Sequence, residues 1–110
     1  INYSSLIKSC DIGLSTVILK SSLLRFGKFP KTRTKEDYIL WLKLSKKGVH
    51  MYGLNLFLAS WRKSRNSLSS SIYQKIRDAY TVYNQYLKFN LIKSIYSTMI
   101  LGFNAFRKNL

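Results

Sequence analysis

Thr34-Lys35-Glu36-Asp37-Tyr38-Ile39-Leu40-Trp41-Leu42-Lys43-Leu44 is the stretch from which the rest of the chain is read. Only four acids stand against nineteen Lys and Arg, and two of the four are neighbours here. At about 100° per residue, Leu40, Trp41 and Leu44 share a side with Asp37. This spacing predicts a helix from Lys35 to Lys47 with Asp37 at the head of its apolar stripe. Glu36 then turns towards Lys43, Lys47 and water. Gly48 suits the position just past such a helix, and Lys46 and Lys47 suit its negative end. A carboxylate on the inward side of a first turn can serve as a general base. It can equally be structural, because Thr34-x-x-Asp37 also fits a capping box and acids complement the helix dipole.

Upstream of this helix, Ile12 to Leu19 is rich in β-branched residues and reads as a buried strand. Lys20 to Phe26 allows one or two helical turns ended by Gly27, and Pro30 marks a loop. Downstream, Val49 to Trp61 carries no Lys, Arg, Asp or Glu. Its Val, Tyr, Phe and Trp predict one long or two short strands, interrupted near Gly53 and Asn55. Arg62 to Ser67 is a basic loop, and Ser71-x-x-Gln74 is a helix-start signature. Ile72, Ile76, Ala79, Tyr80, Tyr83 and Leu87 then recur at helical spacing. Ile92, Tyr96, Met99, Phe103 and Phe106 continue the stripe past a break near Asn90, which predicts a kinked helix or a helix pair with its aromatics in core and interface. The fold class is therefore an α+β fragment: about two strands, a central helix, and one or two long C-terminal helices.

A chain of 110 residues holds one domain at most, and it begins with Ile1 rather than Met, as a piece of a longer protein would. The net charge of +15 implies an anionic partner: nucleic acid, a phosphorylated ligand or an acidic membrane surface. A lost acidic neighbour would explain it too. Cys10 is the lone cysteine and His50 the lone histidine, which excludes a disulfide framework and a cysteine-based zinc site. A reducing, cytosolic compartment fits this usage. No signal peptide is visible. The charge-free run from Ser94 to Phe106, thirteen residues, is too short to span a bilayer. Glycine-rich phosphate loops, HExxH and a Ser-His-Asp arrangement are all absent from the sequence.

Several pieces in order resemble one family. Ser15-Thr16-Val17-Ile18-Leu19-Lys20, Gly27-x-Phe29, Glu36 to Leu44, Gly48, Trp61-Arg62 and Asn66-Ser67-Leu68-Ser69 resemble the second half of a family-2 glycosyltransferase of the GT-A fold. The resemblance runs from Cys10 to Ser70 and is nearest to bacterial enzymes of exopolysaccharide and cell-wall polymer synthesis. It implies that residues 1–68 are the acceptor-side portion of a GT-A α/β domain and residues 69–110 a C-terminal helical extension. It also implies an inverting transfer from a nucleotide-sugar donor to a saccharide or lipid-linked acceptor. Asp37 matches the catalytic base of that family, with Glu36 shaping the helix start or touching the acceptor.

Trp61-Arg62 stands where the family tends to carry Tyr-Arg. The implied role of Arg62 is a guanidinium beside the diphosphate leaving group, a task suited to a planar bidentate donor; a solvated loop charge is the alternative. Trp61 would stack on a sugar or, better, cap the core. The family's Asp-x-Asp for Mg or Mn belongs to the donor-binding first half, which this sequence lacks. No metal ligand is assigned here, and the piece alone is expected to be inactive. The implied location is cytoplasmic, peripheral on the inner face of the membrane, with the basic aromatic helices against the lipid. The competing readings are a small basic nucleic-acid-binding module and a structural helical domain in which the acids only cap.

Overall fold

The computed structural model describes residues 1–62, 64, 71–108 and 110. Its described residues form four α-helices: α1 (Tyr3–Leu6), α2 (Glu36–Lys46), α3 (Ile72–Thr81) and α4 (Leu91–Lys108). Two 3-10 turns, Leu14–Thr16 and Ser21–Phe26, lie between α1 and α2, and a π-helical turn, Val82–Tyr86, prolongs α3.

The expected helix in the middle of the chain is α2, and it ends as its sequence requires. Gly48 takes φ 80, a left-handed conformation that costs glycine nothing. The Gly48 N–H reaches the Ser45 carbonyl at 3.0 Å and the Val49 N–H reaches Leu44 at 3.1 Å. Those two bonds make a Schellman cap and satisfy carbonyls that the helix leaves over. The expected single apolar stripe is a different matter. Tyr38, Ile39, Leu40, Trp41, Leu42, Leu44 and Ser45 are all buried, so α2 is enclosed on nearly every side.

One hydrophobic cluster joins Leu6 of α1, the α2 residues, Ala79 of α3, Val82 and Tyr83 of the π turn, and Leu101 of α4. Two tyrosines tie it together. The Tyr38 hydroxyl donates to the Leu6 carbonyl at 2.9 Å and the Tyr83 hydroxyl to the Ile7 carbonyl at 2.7 Å. These are carbonyls at the end of a four-residue helix that could not persist unaided. The two hydroxyls lie 3.2 Å apart. Burial pushes the Tyr83 hydroxyl up to about 12 and the Tyr38 hydroxyl further.

The helix-start signature before α3 holds, because the Ser71 hydroxyl accepts from the Gln74 N–H. The break near Asn90 is a full turn. Lys88 adopts φ 58, and the Asn90 side chain caps α4 by accepting from the Lys93 N–H at 2.8 Å. The result is a helix pair. Asn104 then donates to the Lys8 carbonyl at 2.9 Å, and Lys108 pairs with Asp11, which fastens α4 back to the N-terminal segment.

Two expectations are corrected. The α+β class with about two strands does not hold, since no strand occurs among the described residues. Ile12 to Leu19 contains a 3-10 turn, and Val49 to Trp61 runs without a ladder. There the Leu56 N–H turns back onto the Leu54 carbonyl at 2.9 Å. β-branched and aromatic residues report fitness for a pleated, half-buried surface. A strand forms only where a second one presents its N–H and C=O groups, and Tyr52, Leu54, Phe57 and Leu58 face solvent instead. Second, the stripes of α3 and α4 do not simply face the core. Ala79 and Tyr83 are inward, but Ile72, Ile76, Ile92, Tyr96, Met99, Phe103 and Phe106 are exposed. The expected domain boundary at 68/69 and the Asn66-Ser67-Leu68-Ser69 piece lie outside the described residues.

Candidate active site

The start of α2 is unusual before any chemistry is considered. Lys35 occupies the N-cap position with φ 64 and makes no side-chain cap bond. A left-handed backbone at a residue bearing a Cβ costs roughly 1–2 kcal/mol, and such strain concentrates at functional sites. The capping box does not form. Thr34 Oγ1 donates instead to Asp78 Oδ2 on α3, so the loop before α2 is pinned to the second half of the chain. Asp37 Oδ1 accepts from the Tyr38 N–H at 2.8 Å, which fixes the carboxylate against the first turn. Asp37 itself is partly buried.

Glu36, expected towards water, is only partly exposed. Among the described residues its Oε2 is buried with no hydrogen-bond partner, and so are Thr32 Oγ1 just upstream and Trp41 Nε1 in the second turn. Buried polar atoms are normally satisfied, and a buried carboxylate oxygen without a donor is costly. The Trp41 ring packs edge-on against Phe29, centroids 6.3 Å apart, so the indole N–H is held rather than free to turn outward. Among the described residues, an acceptor, a donor and a hydroxyl around the start of α2 thus bear the cost of burial without a hydrogen bond. Burial pushes the nearby Cys10 thiol up, with Lys35 opposing and Asp37 adding to the shift. Cys10 is therefore a neutral wall of this region rather than a nucleophile.

A cleft of about 620 Å3 opens beside the same helix start. Thr32, Arg33, Thr34, Tyr73, Gln74, Arg77 and Asp78 are among its lining residues; Glu36 and Asp37 are not. The sequence reading missed this cleft, although Asp78 carried a signal: it is the only acid after residue 37. Trp61 and Arg62 are exposed, and among the described residues no hydrogen bond, ion pair or ring contact ties either to α2. Trp61 does not cap the core. Neither aromatic-Arg residue is brought to Asp37.

Among the described residues no three His, Cys, Asp or Glu side chains lie together. Asp11 is paired with Lys108 and Asp78 with Thr34. The residues present do not fit a divalent-cation site. No helix among the described residues is long and apolar enough to cross a membrane.

With this geometry in hand, relatives define the class. The chain is 30% identical over 110 residues, all of its length, to a Bacillus subtilis protein assigned as a teichuronic acid biosynthesis glycosyltransferase, TuaG, and covers 44% of it. It is 31% identical over 97 residues to the Escherichia coli UDP-Glc:alpha-D-GlcNAc-diphosphoundecaprenol beta-1,3-glucosyltransferase WfgD, covering 38% of that protein. It is 36% identical over 76 residues to the Escherichia coli enzyme of the same activity, WfaP, covering 30%. No protein-family model matches the chain, and no solved structure matches it significantly. Over its whole length the chain is thus a relative of one portion of bacterial glycosyltransferases. It spans less than half the length of the curated relatives it matches.

Proposed function

We propose that the chain is the acceptor-side portion of an inverting glycosyltransferase. The whole protein would move a sugar from a nucleotide-sugar donor to a lipid-linked saccharide in cell-surface polymer synthesis, with Asp37 as general base. The observation that carries this reading is the setting of Asp37. It sits at the first turn of a helix enclosed by the core, with one oxygen held by the Tyr38 N–H and the group still partly exposed. The named activities of the Escherichia coli relatives, UDP-glucose to a diphosphoundecaprenol-linked sugar, supply the substrate classes.

A sugar hydroxyl is a poor nucleophile until its proton leaves. The Asp37 carboxylate would take that proton as the acceptor oxygen bonds to the anomeric carbon. The carbon–oxygen bond to the nucleoside diphosphate breaks on the opposite face, which inverts the centre. Glu36, partly exposed beside Asp37, would accept a hydrogen bond from a second acceptor hydroxyl and fix its orientation. Arg62 would reach the diphosphate only with the remainder of the protein in place, as would any Mg or Mn ion. The location this implies is the cytoplasmic face of the membrane. The nucleic-acid reading keeps only the overall charge in its favour.

The test is Asp37→Asn in the whole protein. Turnover should fall by about 10²–10⁴ with the thermal transition unchanged. A folded Asp37→Asn protein that still turns over normally rejects the base.

A further inference from the structure

Helix α4 is built inside out. Its inward positions are Ser94, Thr98 and Leu101, two of them small and polar. The Thr98 hydroxyl bonds back to the Ser94 carbonyl at 2.8 Å and the Ser94 hydroxyl to the Phe89 carbonyl at 3.4 Å, so both polar groups are satisfied locally. Ile92, Ile95, Tyr96, Met99, Phe103 and Phe106 recur three and four apart on the opposite side, and all six are exposed. Exposed apolar stripes of this size mark interaction surfaces.

Charge selects the occupant. No acid follows Asp78 in the sequence. Lys93 and Arg107 border the stripe along one edge, Lys93 over the Phe89 ring and Arg107 over the Phe103 ring. A second copy of the chain would bring +15 against +15. The stripe runs for about 21 Å at 1.5 Å per residue, too short to cross a bilayer. It suits a helix lying in the plane of an interface, apolar side chains among the acyl chains and cations at the headgroups.

We propose that the outward face of α4 seats the enzyme on an anionic lipid surface, with Lys93 and Arg107 meeting the phosphates. This deepens the transfer reading, on which it rests for a lipid-linked acceptor. The acceptor's sugar would be met at the membrane by α2, while α4 holds the protein there.

The test is flotation of the whole protein with vesicles of phosphatidylcholine alone, or of phosphatidylcholine and phosphatidylglycerol in equal parts. The protein should float with the anionic vesicles and much less with the neutral ones, and salt should release it. Tyr96→Ser with Phe103→Ser should weaken binding by about tenfold or more, while transfer to a water-soluble acceptor stays intact. Lys93→Gln with Arg107→Gln should weaken binding to anionic vesicles alone. Equal flotation with both vesicles, no flotation, or serine variants that bind like the parent would overturn the proposal. Should the serine variant not fold, Met99→Cys decides. A thiol at 99 that a polar maleimide cannot reach without vesicles is covered by the remainder of the polypeptide, and the proposal is lost. Loss of the transfer reading looks different: vesicles bound, no sugar moved from any nucleotide donor.

Discussion

Helices α2 and α4 have similar sequences by pattern and opposite fates. Both carry Leu, Ile and aromatics at helical spacing with lysines between them. In the fold α2 is enclosed by α1, the 3-10 turn at Ser21–Phe26 and the cluster that includes Ala79, Tyr83 and Leu101. Its exposed and partly exposed groups are confined to Lys43 and the two ends. In α4 two of the three residues turned inward, Ser94 and Thr98, are small, and most of the large ones meet solvent. Periodicity reports that residues share a face; it does not report which face the core takes. That is decided by what else the chain brings. Close approach of α4 to α3 and the π turn needs small residues such as Ser94 and Thr98 at the contact, which leaves the bulky stripe outward.

The sharpest way to break this comparison is to truncate each helix once. Leu40→Ala, at a fully buried position, should cost about 2–5 kcal/mol because a cavity replaces packed atoms. Phe103→Ala, 62% exposed, should change stability by no more than about 0.5 kcal/mol. Urea denaturation of the two variants measures both. If Phe103→Ala matched Leu40→Ala in the whole protein, the outward face of α4 would be a covered one.

A middle-sized effect tests the polar tie between the halves of the core. Tyr83→Phe removes a hydroxyl that serves the Ile7 carbonyl and should cost about 1 kcal/mol. The pair also sets a pH dependence. An unfolded chain loses tyrosine protons near 10.0, whereas folded Tyr83 keeps its proton to about 12. Above that lower value the unfolded state binds fewer protons, so it is favoured. The stabilisation is whole below the unfolded value and is lost as pH rises from there through about 12. Alkaline unfolding should therefore be steep in the parent protein and shallower in Tyr83→Phe.

What the sequence discloses of this fold is what local chemistry decides. The bounds of α2, its Gly48 cap, the Ser71 start of α3 and the turn at Asn90 depend on a few neighbouring residues, and all appear in the structure. What depends on distant partners was not legible. The strand composition of Val49 to Trp61 describes a surface that needs a neighbour, and none is present among the described residues. Thr34 fitted a cap by spacing, yet Asp78, forty-four residues on, offers its hydroxyl a charged acceptor. Glu36 follows the same rule: the residue is partly exposed, yet its Oε2 is buried by segments that a helical wheel does not contain.

The smallest effect compares the two lysines in left-handed conformations, Lys35 before α2 and Lys88 before α4. Glycine at either position should stabilise the fold by about 0.5 kcal/mol, since relief of the Cβ clash slightly exceeds the added entropy of the unfolded chain. Turnover should separate them. Lys88 serves only a connection, so Lys88→Gly should leave the rate unchanged. Lys35 sets the entry of the chain into the turn that carries Glu36 and Asp37. A glycine there gives that turn freedom the carboxylates do not need, and kcat should fall while the denaturation midpoint rises. Equal rates for both variants would mean that the strain at Lys35 is an incidental feature of the loop, and that the core around α2 alone holds Asp37 in place.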